Sequence, residues 1–489
     1  MALTWVIIGV GFSAAYGDAR LAESLGSERS AGATAETQKT KPAVFAVREL
    51  YAPGHFGNSY EAMGEYEMRR LLAEAVSWGF NRYGDWFDME DCADPFVFRM
   101  QLGGALWRRK KTNFLSAQAL GLSCDLIITP NHVYTDQLRP ELLAKKGQLD
   151  GRTIFGQLIC PSKPQARALI LSNYEKLFAD LARSGVRLTA LTAFAYDYGG
   201  CLCEKCQPWI LTFARLTREI HAIARRYHPD IQLCVVGWWW KPKEHQQFNE
   251  WADREAPGLI HTFYLRQLSQ EVPRGCQRGA FVHIGAADDW ASRDIYGVLG
   301  PVIAADRIER TLKMLADQRV THLMAYSEGA FDDVNKALVA GLSSGKFRTA
   351  DEVLRAYAKR YFGADETTAA RWAEWLKQWG RPHKVDTKRA GQTLAELLKD
   401  APPPTWRRRQ WELKQELFRL NQLIGTGEEW TPERLEAVNR FWQVHEQIHR
   451  GVWVLGPLRH MFGRDGTEAA VRWHKSWLQH RRAASASAR

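Results

Sequence analysis

The chain has 489 residues and a formal net charge of +11, with 45% of its residues hydrophobic and 25% charged. That balance excludes a disordered chain, and the length exceeds one ordinary core while suiting a barrel of about 250 to 300 residues with an accessory domain. The Lys and Arg surplus is concentrated after Lys346, as in Trp406-Arg407-Arg408-Arg409, and comes without a recognisable nucleic-acid module. It reads first as solvated helix faces and second as a hold for an anionic partner.

Residues 3–15 form an apolar segment that runs into Ala15-Tyr16-Gly17. This pattern predicts a signal peptide over residues 1–17, although its start carries no Lys or Arg, and hence a secreted or periplasmic protein. Residues 18–41, rich in Ala, Ser, Thr, Glu and Gly, read as a disordered linker. No later apolar run is long enough to span a membrane.

Short β-rich runs then alternate with helical periodicity. The predicted strands are Val44 to Leu50, Phe80 to Tyr83, Cys124 to Thr129, Leu188 to Ala195, Gln232 to Gly237, Leu259 to Leu265, Ala280 to Ile284 and Thr321 to Tyr326. Amphipathic segments such as Glu65 to Trp78, Lys163 to Arg183, Trp209 to Arg226 and Ile303 to Gln318 lie between them. Eight strand–helix repeats predict an α/β fold, a closed (β/α)8 TIM barrel over residues 42–347. An open doubly wound sheet is the alternative, but no Gly-rich phosphate loop follows the first strand. The connection from Asn131 to Cys160 is long enough to predict a hairpin or lid over the barrel mouth. After Lys346 only helical patterns remain, broken at Gly363, Gly380, Ala401-Pro402-Pro403-Pro404 and Gly425, so residues 348–489 read as a helical C-terminal domain.

In such a barrel the residues that follow the strands share one cavity. Here they are acidic and aromatic: Arg48, Glu49 and Tyr51 at the first strand, Asp85 and Trp86 at the second, and Tyr196 and Asp197 at the fourth. Trp238 and Trp239 follow the fifth strand, Tyr264 and Arg266 the sixth, Asp288, Asp289 and Trp290 the seventh, and Tyr326 and Glu328 the eighth. Carboxylates beside Trp and Tyr faces are what cleavage of a glycosidic bond needs, because one acid must donate a proton while a second acts as base or nucleophile and rings stack on sugar. Asp197 and Glu328 are the first candidates for that pair, with Asp288 and Asp289 the alternative second carboxylate. The competing readings are that Asp197 orders the loop behind it, that Glu328 pairs with Arg48 or Arg266, and that Asp332 and Asp333 cap a helix. Of Trp238-Trp239-Trp240, at most two can share the cavity, because side-chain direction alternates along a strand.

Cys201, Cys203 and Cys206 lie within six residues. With Cys160 as a fourth thiol they fit a structural zinc site, with a pair of disulfides as the alternative. An all-thiolate site has no open position, so no cofactor is expected to take part in catalysis.

The stretch Tyr196-Asp197-Tyr198-Gly199-Gly200-Cys201-Leu202-Cys203-Glu204-Lys205-Cys206 and the later Leu354-Arg355-Ala356-Tyr357-Ala358-Lys359-Arg360-Tyr361-Phe362-Gly363 resemble segments of barrel glycoside hydrolases of the hexosaminidase and α-glucuronidase type. The resemblance covers most of residues 43–363 and implies a glycan-cleaving barrel. Hexosaminidases of this type carry an adjacent Asp-Glu pair after the fourth strand, the Asp holding the substrate acetamido group and the Glu donating the proton. Here Tyr198 follows Asp197, so the resemblance leaves the acid to Glu328, or to Asp197 in an inverting scheme like that of the glucuronidases. The expectation is an exported glycoside hydrolase acting on a polysaccharide or glycan, with the net charge pointing to an anionic one. The alternatives are a non-catalytic glycan-binding barrel and a metal-dependent hydrolase or lyase.

Overall fold

The computed structural model describes residues 43–54, 60, 63–145, 159–195, 199–288, 301–327, 329, 332–399, 401–402, 405–424 and 431–449. The expected signal peptide and linker, and the helix expected over Thr467 to Arg481, lie outside these residues. Eight strands run parallel and close into a barrel. They are β1 (Val47–Tyr51), β2 (Arg82–Trp86), β3 (Ser123–Ile128), β4 (Ala190–Phe194), β5 (Gln232–Val236), β6 (Ile260–Leu265), β7 (Gln277–His283) and β8 (His322–Tyr326). Each pairs with the next, and β1 pairs with β8 from Val47↔His322 to Tyr51↔Tyr326, which leaves no open sheet edge.

The strands form because their residues can be buried on both faces, as a parallel sheet covered by helices requires. Around them lie α1 (Glu65–Trp78), α2 (Leu102–Ala119), α3 (Pro164–Arg183), α4 (Trp209–Tyr227), α5 (Pro242–Glu255), α6 (Ala305–Asp317) and α7 (Asp333–Ser343). The third shows the pattern: Pro164 opens it, and Ala166, Ile170, Tyr174, Leu177 and Leu181 line the face turned to the barrel. The expected alternation fails once, because residues 266–276 connect β6 to β7 without a helix.

Inside the barrel the residues near the strand starts are polar. Glu49 pairs in register with Arg82, Gly84 with Asp125, and Thr192 with Cys234. Thr192 donates to Asp125 at 2.5 Å, and Tyr264 donates to Glu49 at 3.4 Å. Gly84 is needed there, since a Cβ on it would stand 2.0 Å from the Glu49 carboxyl. Burial first, and the Asp125 carboxylate second, push Glu49 well above the usual carboxylate range.

The C-terminal helices are α8 (Ala350–Phe362), α9 (Glu366–Gln378), α10 (Thr387–Leu397), α11 (Trp406–Ile424) and α12 (Pro432–His449), and α8 packs on α6 and α7. Gly363 ends α8 in the left-handed region at φ 64°, and a Cβ there would also meet Pro402 at 2.5 Å. The basic run that opens α11 is taken up by neighbouring acids. Arg407, partly buried, lies between Glu74 at 2.7 Å and Asp333 at 3.2 Å, while Arg408 and Arg409 both reach Glu412. Asp333 thus joins the helical region to the barrel rather than merely capping α7. Lys414, fully buried among Trp379, Trp411 and Phe418, donates to the Pro301 carbonyl, and burial brings it down to about 7.

Arg48 and Asp85, expected at the mouth, lie elsewhere. Arg48 sits at the start of β1, where its guanidinium donates to the carbonyls of Gly79 at 2.7 Å and Phe45 at 2.6 Å. Strand β2 extends past the predicted end at Tyr83, which puts Asp85 inside the strand and turned outward against α2. There it pairs with Lys110 at 2.5 Å and accepts from Tyr83 and from the Gly54 amide. Both partners of this pair are buried. Removing one leaves an uncompensated charge, so Asp85→Ala should lower unfolding free energy by about 3–5 kcal/mol, measured by urea denaturation. A loss under about 1 kcal/mol would contradict this placement.

Candidate functional site at the barrel mouth

The upper interior of the barrel is a continuous aromatic floor. Tyr51 lies 5.3 Å from Tyr326 between ring centroids and 6.3 Å from Phe281; Phe281 stacks on Tyr326 at 5.8 Å and meets Phe194 at 6.0 Å. Trp86 stacks on Phe194 at 6.2 Å, and His283 meets Tyr326 at 5.0 Å. Phe194 and Phe281 carry no distinguishing mark in the sequence; their inward direction follows from strand register, which the sequence alone does not settle by one residue. Glu49 and Tyr264, expected at the rim, belong to the polar layer below this floor.

Trp238 continues the floor upward, 5.1 Å from Phe281. Trp239 meets it edge-on at 5.8 Å and is 42% exposed. Its backbone adopts φ 61°, an uncommon region for a bulky residue that persists only where surroundings hold it. Arg266, from the connection after β6, supplies part of that hold: its guanidinium lies 4.1 Å from the Trp239 ring centroid and 5.1 Å from that of Trp238. Trp240 turns the other way and is buried among Trp209, Phe213, Phe248 and Phe263. Two of the three consecutive tryptophans therefore face the mouth and the third packs behind β5.

Of the candidate carboxylates, Asp197, Asp289 and Glu328 lie outside the described residues, as do Tyr196 and Trp290. Asp288 is described, and its carboxyl accepts the amides of Arg307 at 2.8 Å and Asp306 at 3.4 Å, at the start of α6. Burial pushes it up while the Arg307 amide pulls it down, with burial dominant. Gly380 stands close beside it, since a Cβ there would lie 2.5 Å from Asp288 Oδ2.

The loops that flank the mouth are tied down by buried polar networks. After β8, Ser327 donates to both oxygens of Asp332 at 2.9 and 2.8 Å, Tyr60 bonds to Ser327, and Lys336 pairs with Asp332 and donates to Gly329 at 2.6 Å. Asp332 thus organises the two residues that bracket Glu328 in the chain instead of capping α7 with its side chain. After β2 and β3, His132 Nδ1 lies 2.5 Å from Asp88 and its Nε2 lies 3.6 Å from Glu90. These three groups stand close enough to hold a cation, but the direct contact of Asp88 with His132 gives the cluster an internal partner.

The thiols expected to cluster do so. Ligand atoms of Cys160, Cys201, Cys203 and Cys206 lie within 4.8 Å of one another, and all four cysteines are unbridged. Cys160 Sγ stands 3.7 Å from the sulfurs of both Cys203 and Cys206. The Cys206 thiol, followed by the amides of Cys203 and Lys145, donates to Cys201 and brings it down to about 4. The described ends of the long connection after β3 form an antiparallel bridge, Leu143↔Ile159, as a hairpin would, and its middle lies outside the described residues.

No family model and no curated protein matches the sequence. Among solved structures, CpGH84B is 11% identical with a TM-score of 0.44, covering 84% of this chain and 69% of that one. An O-GlcNAc hydrolase mutant from Thermobaculum terrenum is 9% identical with a TM-score of 0.44, covering 88% and 97%. A GH20 exo-β-N-acetylglucosaminidase from Vibrio harveyi, in complex with N-acetylglucosamine, is 10% identical with a TM-score of 0.40, covering 62% and 55%. A likeness of this degree does not bear on what this chain does.

The Asp88–His132 contact carries a pH dependence. Burial works against the imidazolium, but Asp88 and then Glu90 outweigh it and hold His132 above its ordinary range. A raised folded value stabilises the protein fully below the unfolded value of about 6.5, and this contribution is lost as pH rises through the folded value. Asp88→Asn should therefore cost more stability at about pH 5.5 than at about pH 9 in chemical denaturation. An equal cost at both would contradict the pairing.

Proposed function

We propose that the protein is an exported glycoside hydrolase that cleaves glycosidic bonds of a polysaccharide or glycan at the mouth of its barrel. The observation that carries this reading is the platform of Trp238 and Trp239, set on an aromatic floor at the end of the barrel where (β/α)8 enzymes hold their sites. An exposed indole fixed in a strained backbone conformation offers a flat apolar face, which suits the C–H face of a pyranose ring. Arg266, over one face of the Trp239 ring, places a positive charge at that platform and favours a substrate bearing a carboxylate or sulfate.

The chemistry falls to Asp197 and Glu328, which follow β4 and β8 by three and two residues in the sequence. One must stay protonated to release the leaving oxygen; the other activates water or attacks the anomeric carbon. Asp289 is the reserve for the second role, since Asp288 already serves the start of α6.

Turnover on a panel of aryl glycosides, uronides included, tests the reading. Asp197→Asn and Glu328→Gln should each lower kcat by about 100-fold or more with folding retained, the range for loss of a general acid or base. Trp239→Ala should mainly raise KM, by about 5- to 30-fold, as loss of about 1–2 kcal/mol of stacking would. Glycan binding that survives in wild type without turnover of any substrate would replace this reading with a non-catalytic glycan-binding barrel. Turnover lost to chelation but indifferent to both carboxylates would replace it with a metal-dependent hydrolase or lyase.

A further inference from the structure

We infer that Cys160, Cys201, Cys203 and Cys206 bind one zinc ion, which clamps the connection after β3 to the connection after β4. The inference is independent of the glycosidase reading.

Four thiolates around one zinc at about 2.3 Å form a tetrahedron whose edges are about 3.8 Å. The Cys160 sulfur lies 3.7 Å from those of both Cys203 and Cys206, close to that edge and far longer than a disulfide bond of about 2.05 Å. The spacing also suits a single ion better than a polynuclear cluster, which would spread its sulfurs around several metals.

The surroundings are those of a metal–thiolate site. The amides of Lys145 and Cys203 point at the Cys201 sulfur, at 3.3 and 3.5 Å, and the Ser162 hydroxyl lies 3.0 Å from Cys160 and 3.5 Å from Cys203. Such donors offset the negative charge that four thiolates leave on a divalent ion and fix sulfur orientation. Three of the four cysteines are buried, and Cys203 is half-buried. All four positions are filled by sulfur, so the ion has no place for water or substrate and its task is to hold chain.

The chain it would hold is identifiable. Cys160 is anchored by its amide to Leu142 at 2.9 Å, and the Leu202 amide bonds to the Lys145 carbonyl at 3.0 Å, so the two connections already touch beside the sulfurs. These bonds alone are few for two long loops, and a zinc ion would turn the contact into a fixed joint. Binding converts thiols to thiolates and releases their protons, with no change in oxidation state.

Elemental analysis of the purified full chain tests this. One equivalent of zinc per chain is expected, and replacement by cobalt should give the intense visible bands and thiolate charge-transfer absorption of a tetrahedral sulfur site. Cys160→Ser should lose at least nine-tenths of the metal, whereas Cys276→Ser, outside the cluster, should keep it. Should Cys160→Ser fail to fold, the wild-type metal content and the cobalt spectrum still decide. Protein without metal whose four thiols react with a thiol reagent, two disulfides found by mass spectrometry, or iron in place of zinc would each overturn the assignment.

Discussion

The burial of Arg82 with Glu49 and Asp125 inside the barrel is the constraint on which the remaining architecture depends. A guanidinium and two carboxyl groups share a space closed to water, where the opposite charges offset part of the cost of burial. Burial first and Asp125 second raise Glu49 well above its ordinary value, burial raises Asp125 as well, and Arg82 pulls both down. Thr192 donates to Asp125 and Tyr264 to Glu49, while Arg82 donates to Ser123 and Gln232. The barrel is thereby plugged from below, and anything that binds must do so above the aromatic floor, where Tyr51, Trp86, Phe194, Phe281 and Tyr326 close the interior.

Above that floor the molecule relies on tethers instead of regular structure. The connection after β8 is held by Ser327, Asp332, Lys336 and Tyr60, those after β2 and β3 by Asp88 and His132, and the one after β6 by Arg266 on the tryptophans. The helical region is joined to the same frame by Arg407 between Glu74 and Asp333 and by Lys414 against Pro301. Each of these ties sets a buried or stacked side chain against a directional partner.

Much of the fold was legible in the sequence because parallel strands buried on both faces leave compact apolar runs, and Gly and Pro punctuate the helices that follow. The departures have physical causes. Strand β2 was read three residues short because Gly84 and Asp85 look like a turn, yet Gly84 is there to admit Glu49 and Asp85 to meet Lys110. The missing helix between β6 and β7 left no sequence mark beyond the shortness of that connection. At the site, the thiol spacing named its own cluster, whereas alternation of side-chain direction would group Trp238 with Trp240; the strand ends at Val236 and the positive φ of Trp239 sets Trp240 apart instead. The Tyr60–Ser327 contact spans 267 positions and could not be read locally. By contrast, Asp332 and Lys336 sit one helical turn apart, a pairing that sequence periodicity could have flagged.

The most direct measurement is a crystal structure of the Glu328→Gln protein with a glycan retained at the barrel mouth. The account predicts a sugar ring lying flat against the Trp239 indole, an anionic substituent near Arg266, and the scissile bond facing the segment that carries Asp197. A glycan bound elsewhere on the molecule, or a mouth in which Trp239 touches no sugar, would contradict it.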